Sequence, residues 1–90
     1  MIEAAVTLNN PLGLHARAAA KVVAVANTFE SNITIERPSC GRTADARSIL
    51  SLLKLGAKFG SNLVIKVNGG DEEAALNAML ELFELGFGEN

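Results

Sequence analysis

Apolar and polar residues alternate in three segments of the chain, which is the pattern of strands with one buried face. The segments are Ile2–Leu8, Ser31–Arg37 and Asn62–Asn68. A fourth, shorter strand is predicted near Arg42–Ala44, after the turn formed by Pro-Ser-Cys-Gly.

Helical spacing predicts three helices between these strands. The first runs over Ala16–Asn27, the second over Ser48–Lys54, and the third begins after Asp71, its predicted cap, and ends at Gly86. The predicted buried stripes of the two longer helices are Ala19, Val22, Val23 and Ala26, and Leu76, Met79, Leu80 and Phe83.

The resulting order, β-α-β-β-α-β-α, predicts an α+β fold with two layers. A four-stranded antiparallel sheet carries three helices on one face. With 90 residues, 49% of them hydrophobic, the chain is expected to form a single domain over residues 1–90.

Composition predicts a cytoplasmic protein. No apolar run reaches the ~18 residues of a membrane span, so membrane insertion is not expected. The start, MIEAAVTL, lacks the features of a signal peptide. The single cysteine, Cys40, forms no internal disulfide, which fits a reducing compartment.

Charge is distributed unevenly along the chain. All eight basic residues lie in residues 1–70, whereas residues 71–90 contain six of the ten acidic ones. The acidic segment could be an ordinary solvated helix surface, or the basic part could form a face that meets an anion or an acidic partner. Nucleic acid is a poor candidate, because tryptophan and tyrosine are absent and no aromatic residue is interleaved with basic ones.

His15, the only histidine, lies where the first helix begins. Backbone N–H groups at a helix start have no partner within the helix, so a ring nitrogen there can accept one of them. A neutral, oriented imidazole is a nucleophile, and a phosphoryl group on it would meet the helix N–H groups and the guanidinium of Arg17. A loop residue that merely precedes a helix remains the alternative, although histidine is a poor cap.

Ser48 occupies a similar position before the second helix. A structural cap is the simplest interpretation, but a phosphate there would also be favourably placed. The five apolar residues that follow within about two turns cannot all face inward, so some should form an exposed patch for a partner. They are Ile49, Leu50, Leu52, Leu53 and Leu55.

Other chemistry finds little support. We expect no metal and no cofactor, because the spacing of one histidine, one cysteine and scattered carboxylates matches no metal site and no nucleotide-binding motif occurs. A nucleophilic Cys40–His15 pair is conceivable, but Cys40 lies in a Pro/Gly turn. One reactive side chain on a small domain favours a carrier with a covalent phosphohistidine over a stand-alone enzyme.

Two motifs together resemble the histidine-containing phosphocarriers (HPr and NPr) of the bacterial phosphoenolpyruvate-dependent phosphotransferase system. The segment GLHAR resembles the family's active-site motif, and GRTADARSILSLLKLGAKFGSNL resembles its second signature. The ending LELFELGF is similar to the nitrogen-system branch, NPr. The sequence departs from the family at Ala18, where proline is most common.

The resemblance implies an open-faced β-sandwich and a phosphoryl relay. Phospho-enzyme I would donate to Nδ1 of His15, which would pass the group to a histidine of an enzyme IIA domain, in sugar uptake or its regulation. Arg17 would assist transfer, and Ser48 matches the serine that a regulatory kinase modifies in some bacteria. The backbone of Ala16, Arg17 and Ala18 would hold the phosphate, and the docking surface would include Ala20, Ile49, Leu50 and Leu53.

The expected partners are therefore enzyme I, enzyme IIA domains and a serine kinase acting on Ser48, with the protein itself a monomer. Three alternatives remain open: a nitrogen-branch regulatory phosphocarrier, a non-catalytic regulatory module that uses Ser48 and the apolar patch, and a small-molecule-binding domain.

Overall fold

The computed structural model describes residues 1–89, in which four strands and three helices follow the predicted order. The element bounds differ from the predicted ones by at most two residues. The elements are β1 (Ile2–Thr7), α1 (Ala16–Ala26), β2 (Asn32–Arg37), β3 (Arg42–Asp45), α2 (Ile49–Lys54), β4 (Asn62–Asn68) and α3 (Glu72–Glu84). A 3₁₀ turn at Gly86–Gly88, which the sequence did not predict, follows α3.

The four strands form one antiparallel sheet in the order β1-β4-β2-β3. The central strand β4 pairs with both neighbours, and Ile65 lies opposite Ala4 of β1 and Ile35 of β2. Residues at every second position of β2 and β4 are buried, so one face of the sheet belongs to the core. The prediction of an α+β, open-faced sandwich is confirmed.

The two longer helices each bury one narrow stripe, and the stripes differ in the size of their side chains. Alanines dominate the buried side of α1, and larger side chains dominate that of α3. Val23 and Leu80, which were predicted inside these stripes, lie at their edges and are only half-buried against the core. The buried residues of the two helices are Ala18, Ala19, Val22, Ala26, Ala75, Leu76, Met79 and Phe83.

The prediction that the Asp71 side chain caps α3 is wrong. Asp71 occupies the cap position, but its carboxylate makes no hydrogen bond to the first turn of α3. It instead accepts from the backbone N–H groups of Glu30 and Ser31, both at 2.9 Å, and from the Ser31 hydroxyl. Three donors of another loop outcompete the helix for this carboxylate. Asp71 therefore ties the loop before β2 to the start of α3.

Among the helices of residues 1–89, none has the length and apolarity that crossing a membrane requires.

Candidate functional site

A tight loop delivers His15 to the start of α1. Gly13 adopts φ +66°, and a Cβ there would lie 2.7 Å from the carbonyl oxygen of Ala57 and 2.8 Å from Cα of Lys58. Only glycine fits this approach without displacing backbone. The next residue, Leu14, is buried and donates its N–H to the same Ala57 oxygen at 3.1 Å. The loop is thus fixed against the turn before β4, immediately ahead of the histidine.

His15 is the N-cap of α1, as predicted. Its backbone is extended, its carbonyl accepts the first helical hydrogen bond from Ala19 at 2.8 Å, and its Nδ1 accepts the N–H of Arg17 at 3.3 Å. The side chain is 24% exposed, so the ring is reachable from solvent. Nδ1 therefore carries a lone pair that points at the unpaired N–H groups of the first helical turn.

Glu89 approaches the same ring from the opposite end of the sequence, which sequence reasoning missed. One carboxylate oxygen of Glu89 pairs with Nε2 of His15, and the other accepts from the Asn10 side-chain amide at 3.0 Å. Asn10 is fully buried and also donates to the carbonyl of Gly13 at 2.7 Å. Asn10 thus joins the loop before α1 to the C-terminal turn, and both ring nitrogens of His15 have a partner.

The environment keeps Glu89 ionised. The hydrogen bond from Asn10 is the largest cause that lowers the pKa of this carboxyl below its usual 4.5. Partial desolvation opposes that shift, while the hydrogen bond and charge of His15 and the charge of Arg17 add to it. At neutral pH the site therefore contains a carboxylate beside the imidazole.

Arg17 and Lys21 project from α1 on the same side as the C-terminal turn. Arg17 is exposed, and within residues 1–89 its side chain makes no hydrogen bond or ion pair. A cavity of about 410 Å³ opens between these two cations and the terminal turn, lined by Pro11, Leu12, Arg17, Lys21, Gly88 and Glu89. Two basic side chains therefore lie near the histidine, although Lys21 donates to the carbonyl of Phe87 and Glu89 adds a negative group. A guanidinium free to turn toward an anion suits phosphate recognition.

Ser48 caps α2, because its hydroxyl accepts the N–H of Ser51 at 3.1 Å. The side chains of Leu52 and Leu55 are buried, whereas those of Ile49, Leu50 and Leu53 are 41%, 63% and 38% exposed. These last three residues form the α2 patch. α2 packs against α1, the helix that His15 begins, and Ala20 of α1 is exposed too. The structure thus brings an apolar surface and the histidine onto neighbouring helices.

Cys40 lies away from this arrangement. It is exposed in the turn between β2 and β3, and its thiol donates to the carbonyl oxygen of Arg37 at 3.6 Å, within its own hairpin. This placement gives the Cys40–His15 nucleophilic pair no support.

A model of the family described as "PTS HPr component phosphorylation site" matches residues 2–84. Curated relatives match over nearly their full length. Phosphocarrier protein HPr of Xylella fastidiosa is 41% identical over 90 residues, which cover 100% of this chain and 99% of the relative. Phosphocarrier protein NPr of Proteus mirabilis is 40% identical over 85 residues, covering 94% of this chain and 93% of the relative.

Solved structures agree with the sequence matches. The crystal structure of HPr-C-His from Thermoanaerobacter tengcongensis superposes with a TM-score of 0.92 at 37% identity, covering 100% of this chain and 99% of the other.

Proposed function

Because the chain belongs to the HPr family of phosphocarrier proteins, we propose that it carries its phosphoryl group on Nδ1 of His15. The protein is a phosphocarrier of the phosphotransferase system. The observation that supports Nδ1 is its contact with the N–H of Arg17 at 3.3 Å, since an atom that accepts a hydrogen bond bears no proton and keeps the lone pair that attack requires.

In the proposed step the hydrogen bond from the Arg17 N–H to Nδ1 opens, the Nδ1 lone pair attacks phosphorus, the Nδ1–P bond forms, and the bond from phosphorus to the donor breaks. The electron pair of the broken bond stays with the donor. The new phosphoryl oxygens then lie at the start of α1, where the N–H groups of Ala16, Arg17 and Ala18 lack helical acceptors. Donors fixed in place before the reaction stabilise the charge on the transferring group without reorganising.

Arg17 provides a positively charged side chain that can turn toward the phosphoryl group. Its guanidinium can form a two-pronged contact with phosphoryl oxygens, and it gives up no ion pair within residues 1–89 to do so. Ala18 replaces the proline most common in the family, and its backbone therefore offers one more donor at the third helical position.

The partners of a phosphotransferase-system carrier include enzyme I and enzyme IIA domains. We place their docking surface on Ala20 and the α2 patch of Ile49, Leu50 and Leu53. Exposed apolar residues beside the reactive group are the anchors that a transient interface requires. The interface would form and dissolve with each transfer.

We propose further that a serine kinase can regulate docking through Ser48. The hydroxyl lies at the edge of the α2 patch, so a phosphate on it would have to be desolvated when a partner docks. We also propose that the protein works as a monomer in the cytoplasm. The α2 patch comprises three side chains, and the free thiol, Cys40, suits a reducing compartment.

The assignment of His15 is tested by incubating the protein with phosphoenolpyruvate and enzyme I and measuring its intact mass by mass spectrometry. The parent should gain one acid-labile phosphoryl group, and His15→Ala should gain none while keeping its fold. Ser48→Ala is the matched control, because it alters another helix cap and should still take up the group. Full uptake by the His15→Ala protein would contradict the assignment, and no uptake by the parent would favour a purely regulatory module.

A further inference from the structure

The last turn of the described chain is firmly anchored. Phe87 is buried although it adopts φ 58°, a conformation that costs energy for any residue except glycine. Its ring packs edge-to-face on Phe83 with centroids 4.9 Å apart, and its carbonyl accepts from Nζ of Lys21. Burial of an aromatic side chain offsets the backbone strain, so the turn holds its shape.

A second contact fixes the same region from the other side. The side-chain amide of Asn9 donates to the carbonyl oxygen of Glu84 at 3.0 Å, and Asn10 donates to the Glu89 carboxylate at 3.0 Å. Neighbouring residues of one loop thus hold both ends of the segment between α3 and Glu89. Glu89 therefore reaches His15 as part of a built structure.

We propose that Glu89 is a positioning residue for His15: its carboxylate accepts a hydrogen bond from the Nε2–H of the ring, which leaves the lone pair on Nδ1, and it balances the positive charge that the ring acquires when phosphorylated. This inference rests on the proposed function, because it assigns a role toward the phosphoryl group on His15. The family motifs that identified His15 and Arg17 contain no counterpart of this contact, since Glu89 lies 74 residues away in sequence.

The two contacts of the ring are complementary. A neutral imidazole has one N–H and one lone pair, and the backbone N–H of Arg17 can only pair with the lone pair. The carboxylate of Glu89 can only accept, so it pairs with the N–H. Together they select the tautomer with hydrogen on Nε2, in which Nδ1 is the nucleophile.

The same carboxylate matters more after transfer. When the Nδ1 lone pair bonds to phosphorus, the Nε2 proton stays on the ring, which becomes an imidazolium bearing a phosphoryl group. Glu89 then faces a full positive charge. Besides His15, the charged residues that line the cavity with Glu89 are Arg17 and Lys21, both cationic, so no second carboxylate competes there with Glu89 for the positive charge of the ring. The contact thus favours the phosphorylated carrier.

The first test observes the free protein by NMR, before any phosphoryl transfer. In protein with ¹⁵N-labelled histidine, the Nε2 proton of the parent should give a downfield resonance protected from exchange with water. Glu89→Ala should lose that resonance and Glu89→Asp should keep it in part. Glu84→Gln is the matched control, because it removes one exposed carboxylate near the same end of the chain. A resonance unchanged in Glu89→Ala would overturn the proposal.

The second test measures the equilibrium constant for phosphoryl uptake from enzyme I. Glu89→Gln keeps an acceptor oxygen but removes the charge. Uptake should fall by about two- to fivefold, as expected for a partly exposed charge pair. Glu84→Gln should match the parent. Equal constants for Glu89→Gln and the parent would overturn the charge-balancing role. If neither the parent nor any variant takes up phosphate while the Nε2 resonance behaves as expected, the proposed function fails and the positioning contact stands.

Discussion

At the scale of single residues, Ser48 caps α2 and is also the residue that we propose a kinase phosphorylates. Its hydroxyl accepts the N–H of Ser51, and it precedes the exposed residues of the α2 patch. An aspartate can accept the same N–H, because aspartate and serine are both good N-caps. Charge at this position can therefore be changed without removing the cap.

We predict that Ser48→Asp slows transfer from enzyme I while changing the free energy of unfolding by less than about 0.5 kcal/mol. The added charge is favourable at the helix start but resists desolvation beneath a partner. Ser48→Ala should behave in the opposite way, losing about 1 kcal/mol of stability with near-parental transfer. Stopped-flow transfer rates and urea unfolding measure the two effects. Equal rates for Ser48→Asp and the parent would count against regulation through this residue.

The residues that sequence reasoning found are those whose role is local. The cap position of His15 follows from its place before an alanine-rich helix, and that of Ser48 from its place before SILSLLK. Asn10 and Glu89 were not found, because their role depends on a contact across almost the whole chain. A lone acid in an acidic C-terminal segment resembles ordinary solvated surface, so composition gave no signal for Glu89.

At the scale of elements, the apolar residues of α2 and of its C-cap lie in two environments, the core and the surface. Leu52 and Leu55 are fully buried, whereas Leu50 is 63% exposed. A six-residue helix presents neighbouring positions to opposite environments, so substitutions two residues apart should affect different properties.

We predict that Leu50→Glu weakens enzyme I binding with little change in the free energy of unfolding, because it places a charge on the α2 patch and leaves the core intact. Leu52→Ala is the contrasting variant. It should cost about 2–5 kcal/mol of stability by leaving a cavity, with any loss of binding traceable to unfolding. Calorimetric binding and urea unfolding separate the two effects. Unfolding of Leu50→Glu would show that Leu50 supports the core.

The pattern of hydrophobic residues predicted the bounds of a strand or helix well where that element has one buried face and one exposed face. For β4 both predicted bounds coincide with the structure, because NLVIKVN alternates cleanly between turns. The cap of α3 was misassigned, since the nearest available donors to Asp71 come from the loop before β2, about 40 residues away. Capping rules consider only residues near the helix end, so they cannot include donors that the fold brings close from a distant part of the sequence.

At the scale of the whole molecule, Asp71 links the loop before β2 to the start of α3. Hydrogen bonds from the Ser31 hydroxyl, the largest cause, and from the Glu30 N–H lower the pKa of this carboxyl below its ordinary 3.8. A lowered folded-state pKa means that the ionised carboxylate stabilises the fold above about pH 3.8, and that this stabilisation is lost as the pH falls through the folded-state pKa.

We predict that Asp71→Asn lowers the free energy of unfolding at pH 7, because asparagine has one acceptor oxygen and its NH2 group would face a backbone N–H that now donates to the other carboxylate oxygen. The difference from the parent should shrink as the pH falls below 3.8 and the parent carboxyl becomes protonated. Urea unfolding of both proteins over a series of pH values measures this difference in the free energy of unfolding. Glu73→Gln, at an exposed site on the same helix turn, is the control. A difference that stays constant into acid would contradict the role assigned to the carboxylate.

The sheet order, β1-β4-β2-β3, is the feature of the fold that the sequence pattern could not supply. Alternation identifies a strand and its buried face, but it does not say which strands are neighbours. In this chain β4 enters between β1 and β2, so each of its pairings joins segments far apart in sequence. The fold class follows from the elements alone, whereas the topology depends on these nonlocal pairings.

A phosphoryl relay requires that the protein receive the group on His15 and pass it on to a partner. The most direct test loads the parent from phosphoenolpyruvate and enzyme I, removes both, and then adds an enzyme IIA domain while intact masses are followed over time. We predict that one phosphoryl group leaves the carrier and appears on the IIA domain in equal amount. A carrier that retains its group, or loses it to water with none reaching the IIA domain, would contradict the relay.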